Sequence, residues 1–115
     1  MKVLVCGGRS FADSALLDTV MVNVNVEYDG IDVIIEGDAR GADKMAGRWA
    51  DHMGIEKEVY PAKWNIYGKR AGYVRNQQML DEGHPDLVVA FPGGRGTDMM
   101  CKIAEDAGVE VRRIK

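Results

Sequence analysis

The sequence predicts an α/β domain of three layers, with a mainly parallel sheet in the strand order 3-2-1-4-5. Three observations lead there. Short aliphatic runs alternate with segments of helical periodicity along all 115 residues. The central runs are almost continuously apolar, as strands covered on both faces must be. Most runs stop at glycine or proline, and a helical segment follows. Right-handed crossovers leave few topologies for such a chain. In the chosen one the order reverses between the first and fourth strands.

Residues 3–6 form the first strand, ended by Gly7-Gly8. Asp13 or Ser14 caps the next helix, where Leu17, Val20, Met21 and Val24 recur at helical spacing. Residues 32–36 are the second strand. Residues 41–53 carry the clearest helical stripe, formed by Ala42, Met45, Ala46, Trp49, Ala50 and Met53, with Gly54 where a helix terminates. A third strand spans 57–60 and closes at Pro61. Residues 64–72 read as irregular, with Trp64 and Tyr67 covering the sheet edge or stacking on a base. A weakly patterned helix follows over 73–82. Residues 86–91 are the fourth strand, stopped by Pro92-Gly93-Gly94. Residues 97–107 form the last helix, with Met100, Ile103, Ala104 and Ala107 inward, and 109–114 the last strand.

Composition narrows the function. There are 15 basic and 18 acidic side chains, a net charge of -3, so indiscriminate nucleic-acid binding lacks its basic excess. Cys6 and Cys101 have no metal-ligand spacing and read as buried apolar residues of a reducing compartment. The apolar start is too short for a signal peptide, and no run approaches a membrane span, so a cytoplasmic protein is expected. His52 and His84 lack the partners of a triad or metal site; no metal and no cofactor is expected.

Three loops carry the chemistry, all on one sheet edge: Gly7-Gly8-Arg9-Ser10, residues 37–43 from Gly37-Asp38 to Asp43, and Pro92-Gly93-Gly94-Arg95-Gly96-Thr97. Glycines admit close approach of an anion to the backbone, and a helix start near Gly96 or Thr97 offers unpaired N–H groups. The first loop is not GxGxxG, and Glu36 comes closest to the ribose-binding acid of a dinucleotide fold without occupying its position. GxxxxGK[ST] is absent. Ligands of such a sheet bind in the crevice where the strand order reverses, which makes the domain Rossmann-like.

Gly7-Gly8-Arg9-Ser10-Phe11, Gly41-Ala42-Asp43-Lys44-Met45-Ala46, Trp64 with Tyr67-Gly68-Lys69 and Ala71-Gly72, Arg75-Asn76 with Met79, and Phe91-Pro92-Gly93-Gly94-Arg95-Gly96-Thr97 occur in that order. Together they resemble the YspA-related branch of the SLOG superfamily, over nearly the whole chain. The resemblance implies one nucleotide-binding domain over residues 1–115, a nucleotide or nucleotide-derived small molecule as partner, and a homodimer. Its Pro-Gly-Gly-x-Gly-Thr element is shared with the LOG phosphoribohydrolases. There a catalytic glutamate follows the threonine by three residues; here that position is Met100, which disfavours LOG-type activity. Asp38 stands where relatives often have glycine. A carboxylate facing a phosphate repels it unless a metal or Arg40 intervenes.

Arg75 matches a LOG arginine and is expected to contact phosphate or ribose, with little effect on stability when removed. Asn76 is expected to read a base edge or to cap backbone groups. Arg9 and Arg95 are expected on the anion, and Asp43 either on a ribose hydroxyl or simply at a helix start. Three functions compete. Sensing or carrying a nucleotide derivative leads. Cleavage of a nucleotide N-glycosidic bond is the rival, with Glu36, Asp38, Asp43 and Asp98 as carboxylates. Single-stranded DNA binding in the manner of DprA is third, on Arg9, Arg40, Lys69, Arg70, Arg75 and Arg95.

Overall fold

The computed structural model describes residues 1–115. Five strands, β1 (Lys2–Cys6), β2 (Val33–Glu36), β3 (Glu56–Val59), β4 (Leu87–Ala90) and β5 (Glu110–Arg113), form one sheet in the order β3-β2-β1-β4-β5. Every pair is parallel. The central strands are buried on both faces, which is why β1 and β4 read as unbroken aliphatic runs. Edge strands β3 and β5 are mostly charged instead, with three of four residues charged in each.

Helices α1 (Ser14–Glu27) and α2 (Ala42–Met53) cover one face. There Leu17, Met21, Ala46 and Trp49 pack on Val3, Val5, Ile34 and Val89. Asp13 caps α1 by accepting from the Leu16 amide at 3.0 Å. Helices α4 (Ala71–Gly83) and α5 (Arg95–Asp106) cover the other face. Met79, Met100, Cys101 and Ala104 pack there on Leu4, Cys6, Ile35 and Val88. Both cysteines are free and buried. No helix is long and apolar enough to cross a membrane.

Three expectations are corrected. Residues 64–72 are ordered: α3 (Trp64–Tyr67) and a 3-10 turn (Gly68–Arg70) run straight into α4 at Ala71. Residues 63–70 are all exposed, so this stretch buries no apolar face and leaves no helical period to read. Met53 and Ala107, expected inward, are exposed because each stands where its helix ends. Element boundaries otherwise shift by a residue or two, as at α5, which starts at Arg95 rather than Thr97.

Candidate functional site

The loops after β1, β2 and β4 lock together at the carboxyl edge of the sheet, where the order reverses. The Gly8 amide donates to the Pro92 carbonyl at 2.8 Å, and the Gly8 carbonyl accepts from Phe11 at 3.2 Å and Ala42 at 3.3 Å. This packing explains part of the glycine pattern. A Cβ on Gly7 would stand 2.6 Å from the Ala42 Cβ, and one on Gly93 2.7 Å from the Gly8 nitrogen. These glycines let the loops touch one another.

Beside this seam lies a cavity of about 350 Å³. The β1 loop contributes Cys6, Gly7, Gly8 and Arg9; the β2 loop contributes Ala39 and Asp43. Gly94, Gly96 and Thr97 come from the start of α5. The opposite wall is Trp64, Lys69, Gly72, Tyr73, Arg75, Asn76 and Met79. Arg9, Lys69 and Arg75 therefore face Asp43 as the one lining carboxylate, so a chain of net charge -3 carries a locally cationic cavity. Arg40, Arg70 and Arg95 do not line it.

Eleven of the 14 glycines have a positive φ or would set a Cβ within 3.0 Å of a neighbouring atom, at Gly37 and Gly47 an atom of a flexible side chain. The other three are Gly72, Gly94 and Gly96. Gly94 and Gly96 have nothing within 4 Å of a built Cβ, and Gly72 has only the Trp64 ring at 3.8 Å. All three line the cavity.

The start of α5 is open to that space. Its first internal bond runs from Asp98 to the Gly94 carbonyl at 3.0 Å, and no side chain caps it. The amides of Arg95, Gly96 and Thr97 are left without intrahelical acceptors. Thr97 is only 7% exposed, yet it lines the cavity.

Arg75 is half-buried. It donates through Nη1 to the Gly37 carbonyl and through Nε to Asn76 Oδ1 at 2.9 Å. Asn76 in turn donates to the Gly96 carbonyl at 3.1 Å and to Met99 Sδ at 3.4 Å. The pair ties α4 to the β2 and β4 loops, so Asn76 bonds to backbone, one of its two expected roles. Asp43 is 5% exposed. Burial pushes its carboxyl up to about 6, against the opposing pull of Arg75 and of the Ala39 and Gly37 amides. The Cys6 thiol is held neutral by hydrogen bonding with Cys101 and by burial.

Other expected site residues lie elsewhere. Ser10, Pro92 and Gly93 line a separate depression of about 520 Å³ across the seam, together with Gly8, Arg9 and Gly94. Gly37, Asp38 and Arg95 line neither space. Asp38 has φ 62°, and its carboxylate pairs with Lys44 at 2.9 Å, so lysine is the neutralising partner rather than Arg40. Glu36 is buried beneath Gly47 and accepts from the Asp38 amide. Asp98 pairs with Arg113 at 2.9 Å, and Met100 is fully buried in the core.

Trp64 does not cover the sheet edge. Helix α3 packs on α4, and the indole stands in the cavity wall with the Arg9 guanidinium 5.6 Å from its ring centroid. Gly72 and Tyr73 were missed as wall residues, and Lys69 was expected only as part of a groove for single-stranded DNA. The available signal was the clustering of aromatic and basic residues in a stretch without apolar periodicity.

The family described as YspA, cpYpsA-related SLOG matches residues 1–67. This chain belongs to it. The SLOG assignment suggests a nucleotide-related function, and the matched residues include the β1 and β2 loops and Trp64. A relative over nearly the full length is the Gene 61 protein of Mycobacterium phage D29. It is 35% identical over 118 residues, spanning 96% of this chain and 93% of its own.

Proposed function

We propose that the cavity binds a nucleotide or nucleotide-derived molecule, with its phosphate held at the start of α5 by the amides of Arg95, Gly96 and Thr97 and by the Thr97 hydroxyl. One observation carries this reading: the three glycines with neither a positive φ nor a crowded Cβ all line one cationic cavity. Within a helix, as at Gly72 and Gly96, such a glycine lowers stability relative to alanine, whereas Gly94 is the N-cap of α5, where glycine is favoured over alanine. Each of the three leaves backbone bare for a ligand. Arg75, Arg9 and Lys69 supply charge for the phosphate, and Asp43 supplies an acceptor for a sugar hydroxyl. The cavity volume lies at the lower end of small-molecule sites.

Sensing or carrying the ligand accords with the carboxylates. Met100 fills the LOG glutamate position and is core, Asp98 is paired with Arg113, and Glu36 lies outside the cavity. Gly94→Val tests the site. Gly94 has a negative φ and open space for a side chain, while its ψ of -142° lies outside the extended well, so valine strains the turn locally. The variant should stay folded, with a melting temperature lowered by that strain. Adenosine 5′-monophosphate at a hundred times its Kd should stabilise the parent by about 2.7 kcal/mol and leave the variant unmoved. Equal stabilisation of both proteins would remove the α5 start from the site.

A further inference from the structure

The phosphate reading uses the α5 start and the basic side chains and leaves part of the opposite wall without a role. That part is Trp64, Gly72 and Tyr73. Both aromatic residues are 48% exposed, in contrast to Trp49, which is 7% exposed and donates from Nε1 to Asp18 at 3.1 Å. The Trp64 indole makes no such bond and packs into neither core cluster. Its position is nevertheless set. Helix α3 holds it from below, and the planar guanidinium of Arg9 lies against the ring.

Gly72 completes the arrangement. It sits in the first turn of α4, where a Cβ would meet the Trp64 ring at ordinary contact distance and nothing else. Alanine would fit and would favour the helix. Glycine leaves the backbone bare beside the edge of the indole.

We propose that this wall is a nucleobase subsite, in which the base of the nucleotide stacks on the exposed Trp64 indole, whose edge lies beside the α4 backbone at Gly72. The assignment rests on the phosphate reading above. Every base has a π-face, so the subsite favours nucleotides over sugar phosphates without selecting strongly among bases. Lys69 and Arg75 on the same wall flank the stacked group, and Arg9 lies between the indole and the glycine loops.

The experiment is calorimetric titration of the full chain with two probes, adenosine 5′-monophosphate and ribose 5-phosphate, which share a phosphorylated ribose and differ in the base. The parent should bind the nucleotide roughly ten- to a hundredfold more tightly, the range expected for one base–aromatic stack. Trp64→Ala should erase that preference while leaving the ribose 5-phosphate affinity unchanged. Trp64→Phe should restore most of it. Because the side chain is half-exposed, melting curves should confirm that both variants fold. Parent affinities equal for the two probes, or an undiminished preference in Trp64→Ala, would overturn the base subsite while leaving the phosphate site standing. Binding of neither probe to the parent would overturn both.

Discussion

Removing the Arg75 guanidinium would leave the Gly37 carbonyl and Asn76 Oδ1 without their donor and the Asp43 carboxylate without its nearest cation. The sequence reading places Arg75 on the ligand and expects little structural effect; the structure revises the second half of that expectation. Arg75→Ala should lower the melting stability of the free protein by about 1–3 kcal/mol, the range for a buried acceptor left unpaired. It should also weaken adenosine 5′-monophosphate binding ten- to a hundredfold, with Arg75→Lys recovering part of each. Unchanged melting and unchanged affinity together would show that the guanidinium does neither. The place of Arg75 in the cavity wall was legible because Arg75-Asn76 stands in a recognisable motif. The structural role was not, since its acceptor lies 38 residues away in the chain. Asp38 teaches the same lesson: its partner Lys44 becomes a neighbour only once the αL turn at Asp38 is made.

At the scale of elements, what could be read depended on whether an apolar face is buried. The stripe of α2 and the aliphatic runs of β1 and β4 were legible because each packs into the core. The α3 segment and the first turn of α4 were not, because their exposed residues answer to the cavity rather than to the sheet. Gly72 exposes that difference experimentally. Gly72→Ala should raise the stability of the free protein by roughly 0.5–1 kcal/mol, since alanine is the better helix former and meets only ordinary contact there. The same change should weaken nucleotide binding by narrowing the space beside Trp64. A variant that is both more stable and tighter-binding would mean that the glycine serves neither wall nor ligand. Stability and binding pull in opposite directions at this one position, as they do where a site is kept at the expense of the fold.

At the scale of the whole molecule, the sheet order was legible because strand–helix alternation and crossover handedness leave little choice. What the sequence could not expose is the electrostatic strain that this packing places under the site. Glu36 ends β2 at 3% exposure, beneath α2. Burial pushes its carboxyl up to about 7; the Asp38 amide and Lys57 oppose that shift, and the nearby Asp43 and Asp38 carboxylates reinforce it. Asp43 is raised in the same direction. For a carboxyl whose folded value lies above its unfolded one, the native state holds the proton more tightly. Its contribution to stability is then complete below the unfolded value of 4.5 and is lost as pH rises through about 7. Glutamine at position 36 keeps an oxygen for the Asp38 amide and carries no charge to desolvate. The stability of Glu36→Gln relative to the parent should therefore improve by roughly 2–3 kcal/mol between pH 4.5 and pH 8, measured as the difference in unfolding free energy at each pH. Glu27 and Glu58, lowered by Arg112 and Lys2 respectively, act in the opposite sense but are common to both proteins and cancel in that difference. A gap between the two proteins that stays flat across this range would mean that Glu36 ionises without penalty, and that the floor beneath the β2 loop is not strained at neutral pH.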